Sequence, residues 1–388
     1  MSTPTPWDDE PWSPLPKLEG VMSAEVCVVG LGGSGLSALE ELQARGIKAV
    51  GLDARTVGAG ATGRNPGFLL AGLSKFFHDT VTLFGRETAT ELYRLTIAEI
   101  KRLADDMPGL VRLNGSLRIA ADAAEVEDCQ RHLAALRACG FPAEPYKGRE
   151  GEGLLLPSDG VFQPLARVRQ MARRLRTRGG RLYEGSPVRQ LQPGRVETEG
   201  GVVQCHAVLV AVDGRLDRII PELAKWVRTA RLQLLATGPA PEVNFPRAVY
   251  RRYGYDHWQQ LTDRSLVFSG FRDHEREEEW TDSEETTATM QARMENFLRQ
   301  ELKVRAPITH RWAASVGYTQ DALPVLDEVR QRVWAFGGYN GTGSVVGALC
   351  GRAAAQLACG QSSEWAGLLA KAHHRFGNRM AHREEPSK

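Results

Sequence analysis

Three glycines and an aspartate carry the chemistry that the chain states most directly. Gly30, Gly32 and Gly35 follow the apolar run Val26-Cys27-Val28-Val29 in G-x-G-x-x-G spacing, and Asp53 stands 53 − 35 = 18 positions past the last of them. The first glycine allows a tight turn, the second lets backbone approach a pyrophosphate, and the third lets a helix pack closely on the strand. A carboxylate at the later position accepts hydrogen bonds from the ribose hydroxyls of an adenine nucleotide. A glycine-rich turn without a ligand would account for the glycines but not for Asp53, so the stretch reads as a dinucleotide site. Directly after the acid comes a second glycine-rich loop, GAGATGRNPG over 58–67. In nicotinamide dehydrogenases ordinary helix usually follows the ribose acid. Here Thr62, Arg64 and Asn65 sit in a polar loop suited to lie along an extended cofactor.

The elements that must position these residues follow from periodicity. The Val26 run reads as a strand buried on both faces. A helix through Ser37–Leu42 stops near Gly46, and a strand over Ala49–Leu52 delivers Asp53. From Leu73 to Met107 the pattern is helical, then a strand over 115–120 and a helix over 124–139 complete a segment read as a cap over the cofactor. In the helix after Val161, Leu165, Val168, Met171 and Leu175 share one face. Its arginines 167, 169, 173, 174, 176 and 178 read as a solvated face rather than a phosphate patch. Strand signals dominate from Arg231 to Arg272. Period-two alternation puts Arg251, Tyr253, Tyr255 and His257 on one face, a candidate substrate wall that an exposed sheet face explains equally well. The acidic run Glu275–Glu285 reads as a solvated turn before a helix whose buried stripe is Met290, Met294, Phe297 and Leu298. Near the end come a strand at Val333–Phe336, a glycine-rich loop over 337–343 and a helix over 344–359. That helix N-terminus offers free N–H groups and a positive dipole end to an anion. The loop's glycine spacing does not repeat G-x-G-x-x-G, so no NAD(P)H site is expected.

Composition sets the outer bounds. The 388 residues exceed one ordinary core, and a net charge of +2 argues against an obligate nucleic-acid binder. No apolar run reaches membrane-spanning length, and the proline-rich, acidic start MSTPTPWDDEPWSPLPKLEG lacks the form of a signal peptide. A cytoplasmic protein with an extended N-terminal arm is the expectation. The six cysteines show no CxxC pair or metal spacing, so no metal site is expected.

Gly30, Gly32, Gly35, Asp53 and the GATGRNPG loop resemble the D-amino-acid-oxidase-like family of FAD oxidoreductases, most closely its γ-glutamylputrescine oxidase branch. Members of that branch usually have a second glycine where this chain has Pro66, and proline supplies no N–H there. The resemblance covers 26–72, 160–215 and 310–360, where Trp312, Thr319, Asp321 and Pro324 match a W…T-x-D-x-x-P stretch. It implies an α/β fold: a discontinuous FAD-binding Rossmann-like domain and a second, mostly antiparallel β substrate domain. The expected division is an arm over 1–22, an FAD domain over 23–75, 157–220 and 313–388, and a cap and substrate domain over 76–156 and 221–312.

Cofactor contacts implied by the resemblance are Gly30, Gly32, Gly33, Ser34, Gly35, Asp53 and Ala54 in the first motif, and Ala61, Thr62, Arg64, Asn65, Gly67 and Phe68 in the second. Val188 would bring a backbone group to the adenine, and Gly338, Asn340, Gly341, Thr342 and Gly343 would meet the flavin. The implied reaction oxidises the C–N bond of a small-molecule amine to an imine by hydride transfer, with oxygen or another acceptor taking the electrons. The alternatives are a glycine, sarcosine or D-amino-acid oxidase or dehydrogenase of the same family, an NAD-linked dehydrogenase, or a flavin-binding tRNA-modifying subunit. Sarcosine-oxidase-like members hold flavin through a cysteine in the stretch matching Val316-Gly317-Tyr318-Thr319; none lies here, so non-covalent FAD is expected. Glycine and D-amino-acid oxidases carry a carboxylate-pairing arginine at the position of Val316. An amine without an α-carboxylate is therefore the expected substrate, with Arg251, Arg252 and Arg311 as cations that could restore the missing charge.

Overall fold

The structure is a computed structural model that describes residues 3–9 and 11–384, with side chains to residue 377. Residues 1, 2 and 10 of the expected arm and 385–388 of the last expected FAD segment lie outside the described residues. Two sheets dominate. The first runs Arg181–Tyr183, Ala49–Leu52, Val26–Val29, Ala207–Val210, Val333–Gly337 and Val325–Arg330 in spatial order, parallel except for its last pair. All four residues of Val26–Val29 and of Ala207–Val210 are buried, as continuous apolar strands at the centre of a parallel sheet must be. Helix Gly33–Ala44 leaves the Val26 strand through Gly30, whose φ of +105° only glycine adopts without strain. Helix Val346–Ala358 lies against it, with Gly351 meeting the backbone of Ser34.

The second sheet has eight strands: Ile308–Tyr318, Arg228–Thr237, Leu266–Ser269, Asp256–Gln260, Ala248–Arg251, Ser116–Ile119, Gly151–Leu156 and Glu144–Gly148. It is antiparallel except where Ala248–Arg251 pairs with Ser116–Ile119. Helices Phe77–Phe84, Arg86–Asp106 and Ala123–Ala138 form the segment expected as a cap, and Ala288–Gln300 buries Met290, Met294, Phe297 and Leu298. This α/β architecture is the expected fold class.

Two local expectations are corrected. The residues around Arg251–His257 are not one alternating strand: Arg252 and Tyr253 have φ of +53° and +54°, and the chain turns between Ala248–Arg251 and Asp256–Gln260. The acidic run is not wholly solvated, since Glu279 is buried and pairs with Arg231 at 2.9 Å. The residues of the expected arm pack against the rest of the fold. Trp7 and Leu18 are buried, the Trp7 indole N–H donates to the Asn65 carbonyl (3.1 Å), and that of Trp12 donates to Glu184 (2.9 Å). Gly20–Ser23 then pairs in parallel with Gly201–Gln204.

Candidate active site

Between the two sheets lies a cleft of about 590 Å³. At one end the two glycine-rich segments interlock. The Thr62 hydroxyl accepts from the Gly33 amide at 3.1 Å, and a Cβ on Gly32 would come within 2.9 Å of that oxygen. Gly30 and Gly35 are needed for packing, because a Cβ on Gly35 would collide with the Gly30 carbonyl and one on Gly30 with that of Ala211. Asp53 accepts from the Leu31 amide through one oxygen and from the Arg55 amide through the other, both at 2.8 Å. Each oxygen keeps a lone pair for a ligand hydroxyl. Burial raises the Asp53 pKa against these hydrogen bonds.

Of the residues expected at the cofactor, Gly30, Gly32, Gly33, Ser34, Asp53, Ala54, Ala61, Thr62, Asn65, Phe68, Val188, Asn340, Gly341, Thr342 and Gly343 line this cleft. Gly35, Arg64, Gly67 and Gly338 do not. Arg64 is buried with its Nε on the Ala313 carbonyl (2.8 Å) and its Nη atoms on Thr3, so its charge is turned to the arm. Gly67 packs on the Phe162 carbonyl, and the Gly338 amide donates to Asp213 at 3.0 Å. Asn65 lines the cleft, but its side chain braces its own loop, accepting from the Gly67 amide (2.8 Å) and donating to the Thr62 carbonyl (2.6 Å). The loop itself contains a short helix, Ala61–Arg64.

Arg167 was expected on a solvated face and is instead 1% exposed. One Nη donates to the Ser344 carbonyl at 3.0 Å, while its Nε and other Nη are buried without partners among the described residues. The guanidinium lies within 3.9 Å of where a Cβ on Gly33 would stand, at the N-terminal end of helix Gly33–Ala44. Burial pushes its pKa down to about 10, leaving it charged. Arg169 and Arg173 lie over the Trp12 ring and Arg174 pairs with Glu40, so much of the arginine face is covered. The signal was present: residues 167, 171 and 175 fall at helical steps of four, with Arg167 on the apolar stripe.

At the other end, cross-strand register places Leu234, Ser269, His257, Tyr250 and Arg118 in one row over five neighbouring strands, all lining the cleft. His257 stacks on Tyr250 at 5.1 Å and meets Phe68 edge-on at 5.7 Å. Its Nδ1 lies 3.0 Å from the Gly254 carbonyl, which can only accept, so Nδ1 carries the proton and Nε2 keeps a lone pair. Burial pushes its pKa down to about 4 and keeps it neutral. Tyr253 and Tyr255 also line the cleft. Arg251 does not, and stands 5.8 Å from the Phe297 ring in another core. Arg252 is paired with Asp273 and Arg311 with Glu295, so neither is a spare cation. Cations lining this side include Lys75, next to Phe76, Arg118, between Phe76 and Tyr250, and Arg272, over Tyr318 at 4.6 Å. Arg118 and Arg272 were missed because their ring neighbours come from segments distant in sequence. Asp213, also missed, is a half-buried carboxylate that gathers the amides of Gly317, Gly338 and Tyr339 at 3.1, 3.0 and 3.3 Å.

Among the described residues no helix is long and apolar enough to cross a membrane. The family described as FAD dependent oxidoreductase, DAO, matches residues 25–357. A gamma-glutamylputrescine oxidoreductase of Escherichia coli (strain K12) is 27% identical over 393 residues, spanning 94% of this chain and 90% of that protein. A probable oxidoreductase OrdL of Rhizobium meliloti (strain 1021) is 26% identical over 384 residues, spanning 90% and 86%. The crystal structure of glycine oxidase from Geobacillus kaustophilus has a TM-score of 0.73 over 88% of this chain and 96% of that one, at 18% identity, a likeness of fold.

Proposed function

The chain belongs to the FAD-dependent oxidoreductase family DAO, and from that premise we propose that it oxidises the C–N bond of an amine lacking an α-carboxylate. Bound FAD supplies the hydride acceptor. In this reading Asp53 holds the adenosine ribose, Gly30, Gly32 and Gly33 admit the pyrophosphate, and Arg167 completes its unpaired N–H groups on it. The loop through Asn340–Gly343, tied down by Asp213, holds the flavin end before helix Val346–Ala358. Among the described residues no cysteine lines the cleft, which supports non-covalent binding. His257 Nε2 accepts a hydrogen bond from the neutral amine, and Phe68 and Tyr250 keep water from the reacting carbon.

The observation that carries the substrate class is Val316. It lines the cleft at the position where the resembled amino-acid oxidases have their arginine, and an unpaired buried carboxylate costs several kcal/mol. One observation favours a second reading, an α-amino-acid substrate: Arg272 reaches Tyr318, two residues along the same strand. Anaerobic bleaching of the flavin by a panel of amines and amino acids decides between them. Acylated diamines or secondary alkylamines should bleach it faster than glycine, sarcosine or D-alanine, and the reverse order would move the assignment to Arg272. Acid precipitation of the same preparation should leave the yellow colour in the supernatant.

A further inference from the structure

The Arg118 side chain has no hydrogen-bond or ion-pair partner among the described residues, although it lines the cleft and its Nε is buried. Its guanidinium lies 5.3 Å from the Phe76 ring centroid and 5.6 Å from that of Tyr250. Two flanking rings confine the guanidinium, whose planar fork suits bidentate contact with a flat anion. The neighbouring buried carboxylate is already used, since Asp159 accepts from the Ala71 amide (2.8 Å) and the Ser116 hydroxyl (2.6 Å). A cation with a buried, unmatched donor is an incomplete site, because leaving such a group unsatisfied is costly.

Its position in the sheet says which end of a ligand it would meet. Trp312 is in register with Leu234, Leu234 with Ser269, Ser269 with His257, His257 with Tyr250 and Tyr250 with Arg118. Arg118 is thus five strands from the strand bearing Trp312 and Val316, about 24 Å at ~4.8 Å per strand. A carboxylate attached to the reacting carbon and read from position 316 would lie across the cleft from it.

We propose that Arg118 binds a carboxylate carried by the substrate several bonds away from the C–N bond that is oxidised. The substrate class is then an amine with a remote, flat, singly charged anion. This rests on the amine-oxidation reading above and adds to it the anionic far end.

The test uses the FAD-loaded enzyme and two amines that differ only in that group, N-glutaryl-1,4-diaminobutane and N-butanoyl-1,4-diaminobutane, with glutarate as a ligand that cannot be oxidised. Glutarate should perturb the flavin absorption spectrum. Its dissociation constant should rise about tenfold to a hundredfold in Arg118→Gln, as expected for loss of a charge-assisted pair. Arg118→Lys should recover part of the loss, and FAD content and melting temperature of both variants identify a folding defect. The glutaryl amine should show the lower KM in the wild type, and that preference should vanish in Arg118→Gln. Glutarate binding that is absent, or equal in wild type and Arg118→Gln, overturns the anion site. So does equal KM for the two amines in the wild type. Bleaching by neither amine, with glutarate still bound through Arg118, overturns the amine reading and leaves the anion site standing.

Discussion

Arg167 and Asp53 approach the dinucleotide end of the cleft with opposite charge and ask for different partners. Arg167 brings two unpaired buried donors to the glycine turn, whereas Asp53 brings oxygens already half satisfied by amides. A phosphate and a pair of hydroxyls complement them in turn. Arg167→Met should therefore raise the FAD dissociation constant about tenfold to a hundredfold, for a loss of roughly 1.5–3 kcal/mol of charge-assisted contact. Arg167→Lys should fall between. Asp53→Ala should lose roughly 1–3 kcal/mol and purify with less FAD. Titration of apoenzyme by flavin fluorescence quenching measures both. An unchanged constant in either variant removes that residue from the cofactor site.

At the scale of elements, the N-terminal segment acts as a strap on the second glycine-rich loop. Trp7 holds the Asn65 carbonyl, Thr3 receives Arg64, and Glu184 accepts from Trp12, Leu15 and Val57 together. Trp7→Ala should cost about 3–5 kcal/mol as a buried aromatic truncation. FAD retention on gel filtration should fall along with melting temperature, and full retention would detach the strap from the loop. What could be read in the sequence divides along the same line. The Val26 strand, helix Gly33–Ala44 and Asp53 are local and periodic, and their positions stand as expected. The hairpin at Arg252–Gly254 breaks period two because two non-glycine residues adopt positive φ, which no local pattern announces. Arg118, Arg272 and Asp213 acquire their surroundings from segments far along the chain, and Arg167 reads as solvated because arginine on a helix ordinarily is.

For the whole molecule, two buried groups near the cleft give acid stability opposite slopes. His257 is held neutral down to about pH 4, so below the ordinary histidine range the unfolded chain binds a proton that the native one refuses. Stability from this group rises with pH through that window. Asp159 is pushed up to about 6 by burial, so the native state keeps a proton that the unfolded state has released, and stability falls as pH rises to that value. The two slopes largely offset between about pH 4 and 6. Relative to wild type, His257→Gln should lose the His257 slope, so that its stability difference between pH 6.0 and pH 4.5 shifts by about 2 kcal/mol toward the lower pH, since each unit is worth about 1.4 kcal/mol. Asp159→Asn should shift the same difference in the opposite sense. Urea midpoints at the two pH values measure both, and parallel profiles for the two variants would contradict the assignment.

The strand order of the parallel sheet also governs how the chain emerges from a ribosome. Val26–Val29 needs Ala207–Val210 on one side, and that strand in turn needs Val333–Gly337. From Val29 to Val333 the ribosome adds 333 − 29 = 304 residues, about 15–60 s at ~5–20 residues per second. Through that interval the nascent half-sheet carries an unpaired, wholly apolar edge. Nascent-chain complexes stopped before Val333 should accordingly be chaperone clients that capture no flavin, and those stopped beyond Ala358 with the linker cleared should capture it.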